Sequence, residues 1–213
     1  MAASDLSGII VTHEHQDHIG GVFKLARRHK IPVWMSVGTF QATEADSHDV
    51  NIHFCRDSEK LSIGDLELMP YTVPHDAREP LQYCASDGQF KLGVLTDAGH
   101  STAHMIEVLG GCDALVLECN HDSQLLAESS YPSFLKRRIS SPFGHLSNLE
   151  SCDLLRNLDQ SRLKRLVGAH LSASNNKPEL ALKAMREGAK SAGKTEIEVA
   201  CQDEGFSWIQ MSG

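Results

Sequence analysis

The sequence lacks the features that mark membrane and secreted proteins. No stretch approaches the roughly 18 consecutive apolar residues of a membrane helix, and the first residues carry neither the basic region nor the apolar run of a secretory signal. The six cysteines contain no CxxC pair, which is typical of reduced, mostly structural thiols. We therefore expect a cytoplasmic protein with no membrane partner.

A large excess of positive charge is also missing. The formal net charge is −8, so a broad basic face that wraps duplex nucleic acid is not expected. A local basic patch remains open, and bound metal ions would add positive charge that this count omits. Repeats, low-complexity tracts and linkers are absent too. The 213 residues, of which 41% are apolar, therefore predict one domain over residues 1–213.

Apolar runs alternate with helical patterns along the chain. Strands are predicted at residues 7–12, 31–35, 66–73, 82–85, 91–95, 114–119 and 163–169. Helices are predicted at residues 21–29, 103–109, 148–158 and 178–189. Residues 196–200 and 206–210 are expected to form a closing hairpin, and Trp208 is expected in the core. The alternation predicts an α/β protein with a mixed sheet or sheets.

A histidine-rich run, residues 13–18 (HEHQDH), follows a predicted strand and precedes a predicted helix. In an extended segment, side chains two residues apart point the same way, so His13 and His15 can bind one ion together. A turn after them brings Asp17 and His18 to a neighbouring point. Imidazole nitrogen and carboxylate oxygen suit zinc, manganese or iron. The alternative is a surface histidine cluster that binds no metal.

Residues 12–20 resemble the signature of the metallo-β-lactamase superfamily, and the resemblance covers nearly the whole chain. It continues at residues 73–76, 95–97 and 169–172. Residues 117–122, 131–136 and 144–148 match the YycJ/WalJ branch, which is close to the PhnP-like phosphodiesterases and ribonuclease Z. The resemblance implies an αββα sandwich and a metal-dependent hydrolase.

The same resemblance implies a dinuclear metal site. Its ligands are His13, His15 and His75 for the first ion, Asp17, His18 and His170 for the second, and Asp97 for both. Two cations about 3.5–4 Å apart need a shared anionic ligand, and together they hold a bridging hydroxide ready at neutral pH. We expect two divalent ions, with zinc the first choice and manganese or iron as alternatives. Taken singly, each of the later ligands has an ordinary alternative as a turn or core residue.

Further residues are implied to act on the substrate. His145 is expected to face the scissile phosphate without binding metal, where it stabilises charge or protonates a leaving oxygen. Asp17, a ligand of the second ion, is also expected to take part in catalysis. The alternative for His145 is a histidine held by backbone contacts in a capping loop. His121 is expected to line the pocket, and the basic run Lys136, Arg137 and Arg138 to contact phosphates. A solvated helix face is the alternative for that run.

The expected function is metal-dependent hydrolysis of a phosphodiester in nucleic acid, with a DNA exonuclease as the specific form. A small cyclic phosphodiester, a thioester or a lactone is an alternative substrate, and a catalytically weak metal-binding scaffold or fragment is the alternative outside enzymes. A homo-oligomer is left open. The family usually has further strands before this motif, so we expect an N-terminally truncated sandwich with an exposed sheet edge.

Overall fold

A computed structural model describes residues 2–43, 47–190, 195–203 and 205–211. These residues fall into two compact units. The first comprises Met1–Thr72 with Asp76–Asp87, and the second comprises Val73–His75 with Gly88–Gly213. The single domain expected over residues 1–213 stays a prediction.

The first unit contains a parallel three-stranded sheet. Its strands lie in the order β1 (Ile9–Ile10), β2 (Val33–Met35) and β3 (Ile52–Phe54). The connections between parallel strands carry three helices: α1 (Gln16–Ile19), α2 (Val22–His29) and α3 (Val37–Ala42). The apolar faces of the sheet and of α2 meet in a core formed by Val11, Phe23, Ala26, Val33 and Met35.

The first unit also contains an antiparallel ribbon. Its strands are β4 (Leu61–Ile63), β5 (Leu66–Thr72) and β6 (Leu81–Ser86). The turn between β4 and β5 needs a left-handed residue, which Gly64 supplies with φ of +59°. The Tyr83 hydroxyl donates to the carbonyl oxygen of Val11 at 2.9 Å. This bond joins the ribbon to the segment that follows β1.

The second unit is built on a parallel sheet in the order β7 (Lys91–Leu95), β8 (Ala114–Glu118), β9 (Arg165–Ala169) and β10 (Glu196–Val199). Its helices are α4 (Ala103–Leu109), α5 (Ser123–Glu128), α6 (Ser133–Ile139), α7 (Asn148–Asn157) and α8 (Pro178–Gly188). None of the described helices has the length and apolar character needed to cross a membrane. Because the four strands are parallel, their carboxyl ends lie along one edge, where α/β proteins bind their ligands.

Two helix starts agree with their sequence signals. The Ser147 hydroxyl accepts from the backbone N–H of Glu150 at 3.2 Å, and the Glu150 carboxylate accepts from the N–H of Ser147 at 2.8 Å. This capping box begins α7. Pro178 occupies the first turn of α8, where a missing N–H costs nothing. The predicted α/β class with mixed sheets is confirmed.

The predicted closing hairpin is reduced to a single antiparallel bridge between Cys201 and Gly205. Strand β10 pairs in parallel with β9, and residues 206–210 form no strand; Glu204 of the expected turn lies outside the described residues. An isolated two-stranded hairpin is marginally stable, whereas the edge of β9 offers a row of backbone donors and acceptors for pairing. Trp208, expected in the core, is 93% exposed.

Candidate metal centre

The histidine-rich loop of the first unit brings three imidazoles together between β1 and α2. His13 is fully buried, and its Nε2 lies 3.0 Å from Nδ1 of His15. The Thr12 hydroxyl lies 3.0 Å from Nδ1 of His13 and 3.1 Å from Nδ1 of His18. Asp17 is more exposed and has its Oδ2 3.5 Å from Nε2 of His18. Thr12 therefore orients two rings, a role that the sequence did not reveal.

The loop is held from the side by residues 76–78. The Glu14 carboxylate accepts from the backbone N–H of Arg78 at 2.7 Å. Asp76 places its Oδ1 3.7 Å from Nε2 of His15. The short helix α1 starts directly after His15, where a bend at Gln16 was predicted. A side chain at Gly20 would collide with the carbonyl oxygen of Gln16, so glycine is needed where α1 ends.

In the second unit, four predicted residues meet at the carboxyl edge of the sheet. Asp97 follows β7 and His170 follows β9, and both have positive φ, 52° and 58°. This conformation is uncommon for residues other than glycine and is characteristic of functional sites. Asp97 is buried, and its Oδ1 lies 3.9 Å from Nε2 of His75, 3.5 Å from Nδ1 of His145 and 3.5 Å from Nε2 of His170.

A fifth residue, Glu118, organises this cluster and was not predicted. It ends β8 and is completely buried. Its Oε1 lies 2.9 Å from Nδ1 of His145 and 2.9 Å from Nδ1 of His170. Its Oε2 accepts from the backbone N–H groups of Ala98 at 2.9 Å and Leu146 at 3.3 Å. In the sequence, Glu118 ends the apolar run ALVL and lies in the segment 117–122 that resembles the YycJ/WalJ branch, but neither signal gave it a role.

The charge state of Glu118 follows from these contacts. Burial raises the pKa of its carboxyl, but the hydrogen bonds from His145 and His170 outweigh burial, so the pKa lies below its ordinary value. An ionised Glu118 accepts a hydrogen bond from Nδ1–H of each imidazole. Each histidine then presents Nε2 on the other side of its ring, as metal-binding histidines do when a carboxylate orients them.

The donor chemistry of the second unit fits a divalent cation. One ligand atom from each of Asp97, Glu118, His145 and His170 lies within 4.8 Å of all the others. Glu118 is already engaged by four hydrogen bonds, so the carboxylate of Asp97 and the imidazole of His170 are the donors of this group that suit zinc, manganese or iron. His75 is oriented separately, since its Nδ1 lies 3.0 Å from the carbonyl oxygen of Gly144.

The predicted substrate-contacting residues differ in their surroundings. In the last turn of α6, Arg137 and Arg138 are exposed. The Lys136 ammonium donates to the carbonyl oxygen of Ala127 at 2.6 Å, so this side chain is already engaged. His121 is buried, and burial lowers its pKa against the opposing effect of nearby carboxylates. A neutral, buried His121 favours a supporting position over direct contact with a phosphate.

The sequence profile described as "Beta-lactamase superfamily domain" matches residues 2–170. Exodeoxyribonuclease YycJ from Bacillus anthracis is 38% identical over 182 residues, which cover 84% of this chain and 69% of the relative. Exodeoxyribonuclease WalJ from Streptococcus pneumoniae serotype 2 (strain D39) is 34% identical over 182 residues, which cover 83% and 68%.

Solved structures share the fold. The metallo-β-lactamase fold protein YhfI from Bacillus subtilis aligns with a TM-score of 0.73 at 19% identity, covering 97% of this chain and 79% of YhfI. A diphosphatase from the PhnP family aligns with a TM-score of 0.64 at 19% identity, covering 94% and 69%. At these identities the likeness concerns the fold alone.

Proposed function

Because this chain belongs to the β-lactamase superfamily and is a metal-dependent hydrolase of the metallo-β-lactamase fold, we propose that it cleaves phosphodiester bonds in nucleic acid as an exonuclease acting on DNA. The family, the fold and the YycJ/WalJ branch expected from the sequence are confirmed. The substrate proposal is supported by the two sequence relatives, both of which are named as exodeoxyribonucleases.

One observation carries the proposal, namely the buried Glu118 carboxylate that holds His145 and His170 side by side at the strand ends. A buried ionised carboxylate orients an imidazole and stabilises its protonated form. His145 is partly exposed, so its Nε2 can meet a substrate. The arrangement supplies a positioned proton donor beside a set of metal ligands.

For the metals we propose the ligand set that the family resemblance implies. These ligands are His13, His15 and His75 for one ion, Asp17, His18 and His170 for the other, and Asp97 for both. Within each unit, the assigned histidines and aspartates lie close together, which supports the assignment. Zinc is the proposed metal, with manganese or iron as alternatives. When bound, such ions would supply positive charge that stabilises the phosphate oxygens, and would lower the pKa of water so that hydroxide is present at neutral pH.

The protein residues are proposed to transfer the proton, position His145 and bind phosphates. His145 donates a proton from Nε2 to the oxygen that leaves phosphorus, and Glu118 stabilises the imidazolium before that transfer. Asp97 lies 3.5 Å from Nδ1 of His145 and keeps the ring in place together with Glu118. Asp17 is proposed to act through the metals, since its exposed carboxylate lies beside His18. Arg137 and Arg138 are proposed to bind phosphates.

The test uses one metal-reconstituted preparation and several substrates. After chelation, samples receive zinc, manganese or iron, and bound metal is measured. Hydrolysis of bis(4-nitrophenyl) phosphate and release of nucleotides from end-labelled DNA and RNA are then followed. We expect both the chromogenic ester and DNA to be cleaved, and His145→Ala to cleave neither at the wild-type rate. Metal-loaded protein that leaves every phosphodiester intact but hydrolyses a thioester or lactone contradicts the proposal.

A cytoplasmic location is proposed as well. All six cysteines are free, as in proteins of reducing compartments. An alkylation experiment on intact cells tests this point, because a cytoplasmic protein yields six reduced thiols without prior reductant.

A further inference from the structure

Two phenylalanines, one in α6 and one in the loop that follows it, are exposed to solvent, and the last turn of α6 carries the basic run. Phe134 in α6 is 66% exposed, and Phe143 in the loop after α6 is 56% exposed. Phe134, Arg137 and Arg138 are three and four residues apart and therefore share one side of α6. Single exposed apolar residues are ordinary. Exposed aromatic rings in the same short segment as arginines are instead the composition of surfaces that bind unpaired nucleic-acid strands.

The loop that carries Phe143 is fixed by backbone contacts on both sides. The N–H of His145 donates to the carbonyl oxygen of Ile139 at 2.9 Å, so the loop closes directly onto the end of α6. A Cβ atom on Gly144 would collide with that same carbonyl. On the other side, Nδ1 of His100 lies 2.8 Å from the carbonyl oxygen of Pro142. Phe143 is thus held at a set position two residues before His145.

Arg137 is the cation of the basic run with the most freedom to bind a ligand. Lys136 is engaged by the carbonyl of Ala127. Within the part of the chain that the structure describes, Arg137 forms no ion pair and no hydrogen bond through its guanidinium. An unengaged guanidinium on the same helix face as Phe134 suits a phosphate whose neighbouring base lies on that ring.

We propose that Phe143 and Phe134 stack on bases of an unpaired nucleic-acid strand while Arg137 binds its phosphate backbone. The proposal rests on the proposed function and specifies the form of substrate that reaches His145. Stacking requires exposed base faces, which an intact duplex hides within its own stack, so the surface selects an unpaired strand end. The net charge of −8 agrees with a small local contact and not with a wide duplex-binding face.

The first experiment separates stacking from phosphate binding. Binding of a phosphorothioate oligothymidylate, which resists cleavage, is compared with binding of an abasic phosphorothioate strand of equal length. We expect the wild type to bind the base-containing strand more tightly, and Phe143→Ala to bind it about 5- to 150-fold more weakly while binding the abasic strand as the wild type does. Phe134→Ala is expected to show a smaller loss of the same kind. Phe54, 53% exposed in the first unit, provides the matched control Phe54→Ala.

The second experiment isolates the charge contribution. For single strands, each phosphate contact adds about 0.7 to the slope of log affinity against log salt concentration. Arg137→Ala should lower that slope by about this amount and keep the preference for bases over abasic strand. Arg186→Ala, which removes an exposed cation from α8, is the control and should leave the slope unchanged.

The outcomes distinguish this inference from the proposed function. Equal wild-type affinity for the base-containing and abasic strands overturns stacking, even if a variant fails to fold. Tighter binding of blunt duplex than of single strand, or unchanged binding in folded Phe143→Ala, also overturns it. Hydrolysis of bis(4-nitrophenyl) phosphate by the wild type is measured separately. Base-dependent binding without any hydrolysis would leave the stacking surface supported and the proposed nuclease activity refuted.

Discussion

Replacing Glu118 with glutamine should disable the metal centre while conserving the size of the side chain. The carboxylate receives four donors: Nδ1–H of His145 and His170 on one oxygen, and two backbone N–H groups on the other. Glutamine has one acceptor oxygen and one NH₂ group. If the oxygen faces the histidines, the NH₂ group meets the N–H groups of Ala98 and Leu146. If the amide is reversed, both imidazoles must accept at Nδ1.

Each arrangement has a predictable consequence. Leaving a buried donor without its acceptor costs about 1–3 kcal/mol, so the first arrangement lowers the free energy of unfolding. In the second, a proton moves to Nε2 of His170 and blocks the nitrogen proposed to bind metal. Loss of a carboxylate that orients a metal-binding histidine typically costs 10- to 100-fold in metal affinity or activity. We therefore expect Glu118→Gln to lower zinc affinity and turnover by about 10- to 100-fold each.

The assay combines metal titration, turnover of bis(4-nitrophenyl) phosphate at saturating metal, and thermal unfolding. Asp113→Asn is a matched control, because Asp113 is also buried but accepts from the N–H of Lys91 and the guanidinium of Arg162, at the opposite end of β8. That variant should lose stability while its zinc affinity stays at the wild-type value. If Glu118→Gln binds zinc and turns over like the wild type, Glu118 does not organise the site.

Asp97→Ala should empty the metal site, because Asp97 is the anion that we propose both cations share. His145→Ala should keep its metal and lose about 10²- to 10⁴-fold in turnover. Equal metal loss in the two variants, measured by elemental analysis, would make His145 a ligand. Gly144→Ala should lower turnover, since its Cβ would displace the backbone beside His145. Gly21→Ala is the control, because a Cβ at Gly21 meets open space. Equal turnover in the two variants would argue against a role for the tight backbone at Gly144. A thiol reagent should modify one cysteine in the native protein, exposed Cys201, and six after denaturation; rapid native modification of more than one contradicts the burial.

Local sequence patterns determined most of the secondary structure and singled out the histidine-rich run proposed to bind metal. The predicted strand at residues 91–95 and helix at residues 103–109 have the same bounds in the structure. Hydrophobic periodicity and capping residues act over a few positions, so they can be read directly from the chain. The histidine-rich run at residues 13–18 is equally local, because neighbouring residues in one loop must lie close together.

The tertiary structure alone decided what depends on residues distant in the chain. Glu118 contacts His145 and His170, which follow it by 27 and 52 positions. No local pattern predicts that these three residues lie together at the carboxyl edge of the sheet. The pairing of β10 with β9 was likewise settled by an available strand edge and not by the turn residues that suggested a hairpin. Lys136 and Arg137 look alike in sequence, yet only the fold places a carbonyl within reach of one of them. The sequence specifies the chemistry of each side chain, whereas the packing of the fold determines which groups that side chain contacts.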